Sequence, residues 1–324
     1  MNIDYSVVIR TTGKAHEKYR ALLDSIAKLE PQPQEVIVVL PEGCPLPEEQ
    51  LGWETFYFSP KGMVVQRMTG IAKCKTRYAL ICDDDVRFGT DFVQQLYEPL
   101  RQELGSFSAG PLFSFLPRPG VHTIICTLTA GTPQTLFHKN RYITVLRSTG
   151  YSFNRNLDCT QTTYYESQSL AWTCFFADVN AFKKLDFDAE SWLDKHGYSA
   201  LDDQTMFYKA WLRGLKTIVV STALYDHLDG KTSTSNNKPA VLYAGMFNRV
   251  VFWHRFIYSH QRNILLKIYS RICFGYYIMS SFCINVTRVL RHKLTMKDFQ
   301  TLRKGYADGW SYVRSDEYKK LPGI

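Results

Sequence analysis

Three aspartates in a row, Asp83, Asp84 and Asp85, follow the apolar run YALIC (Tyr78–Cys82). Adjacent like charges repel, so carboxylates set at the end of a buried run call for water, a hydrogen-bond donor or a cation. Two carboxylates at i and i+2 at a strand end can face one crevice. Hard divalent cations such as Mg²⁺ take carboxylate oxygens together with phosphate oxygens. A metal held by one or two of these aspartates and a diphosphate is therefore a natural occupant; a solvated turn is the plainer reading. A second acidic pair, Asp202 and Asp203, heads the segment DDQTMFYKAWLRG. Aspartate there favours a helix start, and a helix start is a rigid place for a carboxylate that removes a proton.

The elements around these residues alternate. YSVVIR (Tyr5–Arg10), EVIVVL (Glu35–Leu40), WETFYF (Trp53–Phe58) and YALIC read as strands. The residues between them show helical spacing over 14–29 and 62–74. A further helix is expected over 90–100, with Thr90 as its cap. Continuous apolar strands alternating with helices predict a parallel sheet covered on both faces. Ligands of such sheets bind outside the carboxyl ends of the strands, where the three aspartates lie. From Phe107 to Tyr165 the pattern weakens into irregular strands and loops. It returns at Ser169–Leu185, and again in a helix from Asp202 that ends at Gly214 and leads into the strand TIVV. KTSTSNNK (Lys231–Lys238) reads as a linker or a flexible lid.

The chain has 324 residues, 45% of them hydrophobic, enough for a sizeable core. Its net charge of +9 is uneven, with fourteen basic against four acidic residues from Ala244 onward. A near-neutral body with a basic, aromatic tail points to an anionic surface as the tail's partner. Eight cysteines form no CxxC pair and most sit in apolar runs, the pattern of a reducing compartment. The start, MNIDYSVVIRTTG, reads as a first strand and not as a signal peptide, so a cytoplasmic location is expected.

In the opening strand YSVVIRTTG, the segment QRMTGIAKCKTRYALICDDD and the later ALDDQTMFYKAWLRGLK, the sequence resembles the family 2 inverting glycosyltransferases. The resemblance covers about Tyr5 to Leu228. It implies the GT-A fold, a Rossmann-like α/β architecture with a mixed, mainly parallel sheet flanked by helices. It implies transfer of a sugar from a UDP- or GDP-linked donor to a hydroxyl of a glycan or lipid-linked acceptor, assisted by Mg²⁺ or Mn²⁺. Carried over by position, Thr11 and Thr12 line the nucleotide pocket, Asp83 and its neighbour Asp84 meet the nucleotide sugar, and Asp85 holds the metal. Arg67, after Gln66, steadies the donor. Asp203 is the base, with Asp202 as the alternative. His227, in DHLDG (Asp226–Gly230), is a metal or diphosphate contact. Trp172, in AWTCFF, faces the acceptor as a stacking surface, or else belongs to the core. The sequence departs from the family pattern at LPEGC, where Glu42 is the only acidic candidate for reading the base, and at Met68.

The expected organisation is a GT-A domain over 1–235 and a helical, basic-aromatic segment over 236–324. Within the latter, Ile264–Lys293 has an uncharged core from Ile272 to Thr287. That is short of the roughly 20 apolar residues needed to cross a bilayer. With its basic and aromatic flanks it suits a helix lying at the inner membrane face; a buried helix with a basic outer side is the alternative. No recognition-helix or RNA-binding signature accompanies the basic tail, so nucleic acid is not expected. Other readings of the chain are a sugar nucleotidyltransferase, of whose phosphate loop RTTGK offers only a faint version, and a membrane-binding scaffold that has kept the fold without its chemistry.

Overall fold

The computed structural model describes residues 2–112, 141–154, 157–228 and 238–324. In chain order it forms β1 (Tyr5–Arg10), α1 (Glu17–Ala27), β2 (Glu35–Pro41), β3 (Thr55–Ser59), α2 (Met63–Lys73), β4 (Tyr78–Asp83), β5 (Val86–Phe88) and α3 (Phe92–Arg101). Short strands β6 (Phe107–Ala109), β7 (Ile143–Val145), β8 (Ser152–Asn154), β9 (Tyr164–Ser167) and β10 (Cys174–Asp178) follow. Then come α4 (Val179–Lys184), a 3₁₀ segment (Phe187–Asp194), α5 (Asp202–Leu212), β11 (Thr217–Val220) and β12 (Tyr225–His227). The chain closes with α6 (Lys238–Phe252), a π-helical turn (Trp253–Tyr258), α7 (Ile264–Leu290), α8 (Met296–Arg314) and α9 (Asp316–Lys319).

Eight strands form one sheet in the order β3-β2-β1-β4-β10-β6-β11-β9. The pairs β3-β2, β2-β1, β1-β4 and β6-β11 are parallel, and the other three are antiparallel. Alternate residues of β1, β2 and β4 feed two cores, as a pleated strand must. Val8, Ile37 and Ile81 face one core, while Val7, Val38 and Leu80 face the other with α1 and α3. Both sheet faces are covered, which is why these strands read as unbroken apolar runs.

The core containing Val8 also contains Phe247, Val250, Trp253 and Phe274, so the C-terminal helices pack on the sheet domain. A buried ion group strengthens the junction. Glu190 accepts from Lys209 of α5 at 2.9 Å and from Arg255 of the π turn at 2.8 and 2.9 Å. Burial pulls the Glu190 carboxyl up, but Arg255 and Lys209 outweigh it and hold it below its ordinary value.

Two expectations change. Helix α3 begins at Phe92 behind Asp91, and no side chain caps it, so Thr90 is not its cap. The helix expected to be either interfacial or buried is one 27-residue element that buries only Ser270, Phe274, Tyr277, Ile278 and Asn285. The lid or linker candidate lies outside the described residues except for Lys238, which opens α6.

Candidate active site

The carboxyl ends of β1 and β4 lie side by side, with Arg10 in register with Asp83. Arg10 Nη2 donates to Asp83 Oδ1 at 3.0 Å. A second guanidinium reaches the same oxygen from α2: Arg67 Nη2 donates at 3.0 Å, while its Nη1 donates to Asp202 Oδ2 at 2.6 Å. Arg67 is 2% exposed, so this is a buried ion group and not a surface contact. Removing either partner would leave charge uncompensated in a poor dielectric.

Two features aim Arg67. At Gly70 a Cβ would come within 2.4 Å of Val8 Cγ1, so glycine lets α2 press against β1. At the start of α2, the Asp194 carboxylate accepts from the backbone amides of Met63, Val64 and Val65 at 2.9 to 3.3 Å. This satisfies otherwise orphaned helix donors and favours the positive helix end. Gly62 makes room for it, since a Cβ there would lie 2.4 Å from Asp194 Oδ2.

The other two aspartates of the triplet point to different partners. Thr11 Oγ1 donates to Asp84 Oδ2 at 2.5 Å, and the Gly13 amide donates to Thr11 Oγ1 at 2.9 Å. Burial pushes the Asp84 carboxyl up to about 6, against the Thr11 hydrogen bond and the Arg10 charge. Strand β5 pairs with β12, which sets His227 opposite Val86. His227 Nε2 thereby comes to 3.3 Å from Asp85 Oδ1, and the Leu228 amide donates to the Asp85 carbonyl at 2.8 Å.

Asp202 and Asp203 open α5 directly after Leu201, whose φ of 67° is left-handed. A leucine in that region costs about 1–2 kcal/mol, a local strain of the kind that gathers at functional sites. Asp202 is held by Arg67. Asp203 is half-buried and accepts from the Gln204 amide at 2.7 Å. Burial first, and then the Asp202 charge, push the Asp203 carboxyl up to about 8. Burial pushes Asp202 upward too, against the opposing pull of Arg67.

The structure thus gathers Asp83, Arg67 and Asp202 into one hydrogen-bonded group, with Thr11 and Asp84 beside it and Asp85 paired with His227. Gln66 supports the same corner, donating to the Thr11 and Val39 carbonyls at 3.4 and 3.3 Å. Thr12 is half-buried just past Thr11, and Glu42 is exposed just past the end of β2. No hydrogen bond or ion pair among the described residues joins Glu42 to the aspartates.

Trp172 is corrected. Its ring is 3% exposed and packs among Phe175, Phe182, Phe187 and Phe207, with the Arg67 guanidinium 4.2 Å from its centroid. A sugar ring has no open face to stack on. Trp172 belongs to the core and supports Arg67, which also donates to its carbonyl at 3.3 Å. Arg10, Asp194 and Tyr198 were not foreseen. Tyr198 lies half-buried near the acid pair, its hydroxyl pushed up by burial and then by Asp202 and Asp203.

No group of three or more His, Cys, Asp or Glu among the described residues is arranged as a metal cage. The donor pair Asp85 and His227 still suits an ion that takes most of its ligands from elsewhere. Two neighbouring ligands of an octahedral ion, each about 2.1 Å away, lie about 3 Å apart, close to the observed 3.3 Å. The carboxylate suits Mn²⁺ and Mg²⁺, while the imidazole is a ligand that softer divalent ions such as Zn²⁺ and Fe²⁺ also take.

No family model matches the chain, and no curated protein matches it in sequence. In three dimensions it is similar to S. aureus TarS residues 1–349 in complex with UDP-GlcNAc, with a TM-score of 0.51 and 14% identity over 95% of this chain and 80% of that one. It is also similar to GalNAc-T7 with UDP, GalNAc and Mn²⁺, with a TM-score of 0.51 and 14% identity over 86% of this chain and 56% of that one. The likeness shows the fold, the mainly parallel sheet of GT-A glycosyltransferases.

Proposed function

We propose that the chain is an inverting glycosyltransferase of family 2 type that takes its sugar from a UDP-linked donor and passes it to a hydroxyl of a glycan or lipid-linked acceptor. The observation that carries this reading is the Arg67 bridge, which ties Asp83 at the tip of β4 to Asp202 at the head of α5. It holds a donor corner and an acid pair in one cluster. A UDP-GlcNAc complex and a complex with UDP, GalNAc and Mn²⁺, each of a protein with a similar fold, support the choice of donor.

In this reading Thr11, Thr12 and Asp83 border the nucleoside, and Arg67 steadies the donor side of the cluster through Asp83. Asp85 and His227 would hold Mn²⁺ or Mg²⁺, which when bound offsets the charge that grows on the leaving diphosphate. Asp203 takes the proton from the acceptor hydroxyl. The acceptor oxygen then forms a bond to the anomeric carbon from one face. The bond to the diphosphate oxygen breaks on the other, and its electron pair leaves with UDP. A carboxyl raised to about 8 gains a proton readily while part of it is still ionised near neutrality. Asp202, committed to Arg67, positions the pair and does not serve as the base.

The second partner in this reading is an anionic membrane surface at the cytoplasmic side. Its support is α7, which exposes Ile264, Leu265, Ile268, Ile272 and Met279 and carries basic but no acidic residues. No helix among the described residues is long and apolar enough to cross a membrane.

The test is UDP release from a panel of UDP-sugars with Mn²⁺. Release from at least one donor, lost in Asp85→Ala, supports the reading. A chain that neither binds nor cleaves any of them contradicts it.

A further inference from the structure

With about 100° of turn per residue, the exposed apolar and aromatic positions Ile264, Leu265, Ile268, Tyr269, Ile272 and Tyr276 of α7 project within an arc of about 140°. Met279, Cys283, Val286 and Leu290 continue the same stripe to the helix end. The buried positions lie on the opposite side. No acidic residue occurs between Asp229 and Asp298, so the charged side chains of α7 are all cationic. Arg271 stands just outside one edge of the arc.

Two hollows open along that edge, one between α7 and α8 and the other where the π turn, α8 and α9 meet Arg271 of α7. Near the C-terminal half of α7 is an apolar groove of about 510 Å³, lined by Gly275, Met279, Phe282 and Val286 with Tyr306 of α8. Near the N-terminal half is a different cleft of about 500 Å³, walled by Trp253, Trp310 and His254 and rimmed by Arg271, Arg314 and Lys319. Among the described residues neither Arg271 nor Arg314 has an ion-pair partner, while Lys319 meets Asp316 at 3.1 Å. Burial, then the charges of Arg271 and Lys267, push the His254 ring down to about 4, so it is neutral and its Nδ1 meets the Tyr318 hydroxyl at 2.7 Å. The cations of the rim therefore face an aromatic wall and no carboxylate lines the cleft.

We propose that this cleft is a binding site for the phosphate headgroup of an anionic membrane lipid, set so that the lipid's chains run along the apolar arc of α7. The proposal rests on the membrane part of the reading above and deepens it. Headgroup and chains need a cationic hollow beside an apolar face, and the α7 seam supplies both. The partly exposed amphipathic rings Trp310 and Tyr258 lie at the kind of boundary such rings favour, with the buried Trp253 behind them. A protein partner would more readily fit a face of mixed charge; a second copy of this chain would bring cations against cations.

The test is co-sedimentation of the full chain with vesicles of phosphatidylcholine alone or mixed with phosphatidylglycerol, alongside size-exclusion chromatography. Wild type should prefer the mixed vesicles, and Leu265→Ser/Ile272→Ser should weaken binding to both. Arg271→Ala/Arg314→Ala should weaken binding to the mixed vesicles about thirtyfold. Arg288→Ala/Arg291→Ala, an equal charge change at the far end of α7 and outside the cleft, should cost much less. If the cleft variant melts early, Arg314→Ala alone carries the comparison. Equal losses in the two arginine pairs would overturn the cleft and leave membrane binding standing. Wild type that ignores all vesicles, or a dimer that covers α7, would overturn the membrane part as well, while UDP binding would show that the sugar-transfer part survives.

Discussion

Arg67 Nη1 lies 2.6 Å from Asp202 Oδ2, joining a helix that follows the third strand to a helix that begins more than a hundred residues later. The same guanidinium holds Asp83, so one side chain fixes the distance between the tip of β4 and the acid pair. Arg67→Met leaves the buried Asp202 without its partner, while Asp83 keeps Arg10. It should cost about 3 kcal/mol or more in urea unfolding and weaken UDP binding in parallel. Stability and binding both close to wild type would show that the bridge does not organise the site.

In the proposed mechanism the acid pair divides its labour. Asp203→Asn keeps the shape and removes the proton acceptor. Turnover should fall by about a thousandfold, with UDP affinity within about twofold of wild type because the substitution leaves the donor side alone. Asp202→Asn should instead disturb both, since it breaks the contact with Arg67.

Acidity follows from the same geometry. The Asp203 carboxyl is raised to about 8, and only its ionised form accepts a proton. The kcat/KM should therefore rise with pH and level off above about 8. The sign for stability is the reverse: a carboxyl whose folded pKa is raised contributes stability at low pH that is lost as pH climbs through the folded value. Asp203→Asn should accordingly raise the melting temperature at pH 8 by at least about 2 °C, and by less at pH 5. A flat rate profile, or a melting shift that shrinks with pH, would contradict this assignment.

Much of this arrangement was legible in the chain, for identifiable reasons. β1, β2 and β4 announced themselves because strands buried on both faces must be apolar throughout. The aspartate triplet and the acid pair carried weight because each sat at the boundary of a predicted element. Arg10 and Asp194 were not legible. Each is a single ordinary residue whose partner lies 73 or about 130 positions away, and no local spacing marks such a meeting. The sequence leaves Trp172 between acceptor and core because an indole within an apolar run has the same appearance whether its face is open or, as here, filled by Phe187 and Phe207. The exposure of α7 likewise depends on which side α8 and the π turn cover.

The buried group of Glu190, Lys209 and Arg255 links α5 to the C-terminal helices. Glu190→Gln leaves two cations without a counter-charge and should cost about 3 kcal/mol of stability, read from the urea midpoint. Because Lys209 sits on the helix that Asp203 opens, the surviving folded fraction should also show slower turnover. Unfolding at the wild-type midpoint would mean that the tail is held to the sheet domain by its apolar contacts alone.

The central claim is that Asp85 and His227 grip a divalent ion that holds the donor's diphosphate near Asp203. Titration calorimetry of UDP into the full chain, with and without Mn²⁺, measures it directly. Binding should require Mn²⁺ in the wild type and disappear in Asp85→Ala at an unchanged melting temperature. UDP that binds equally well without the metal, or to Asp85→Ala, would contradict the account.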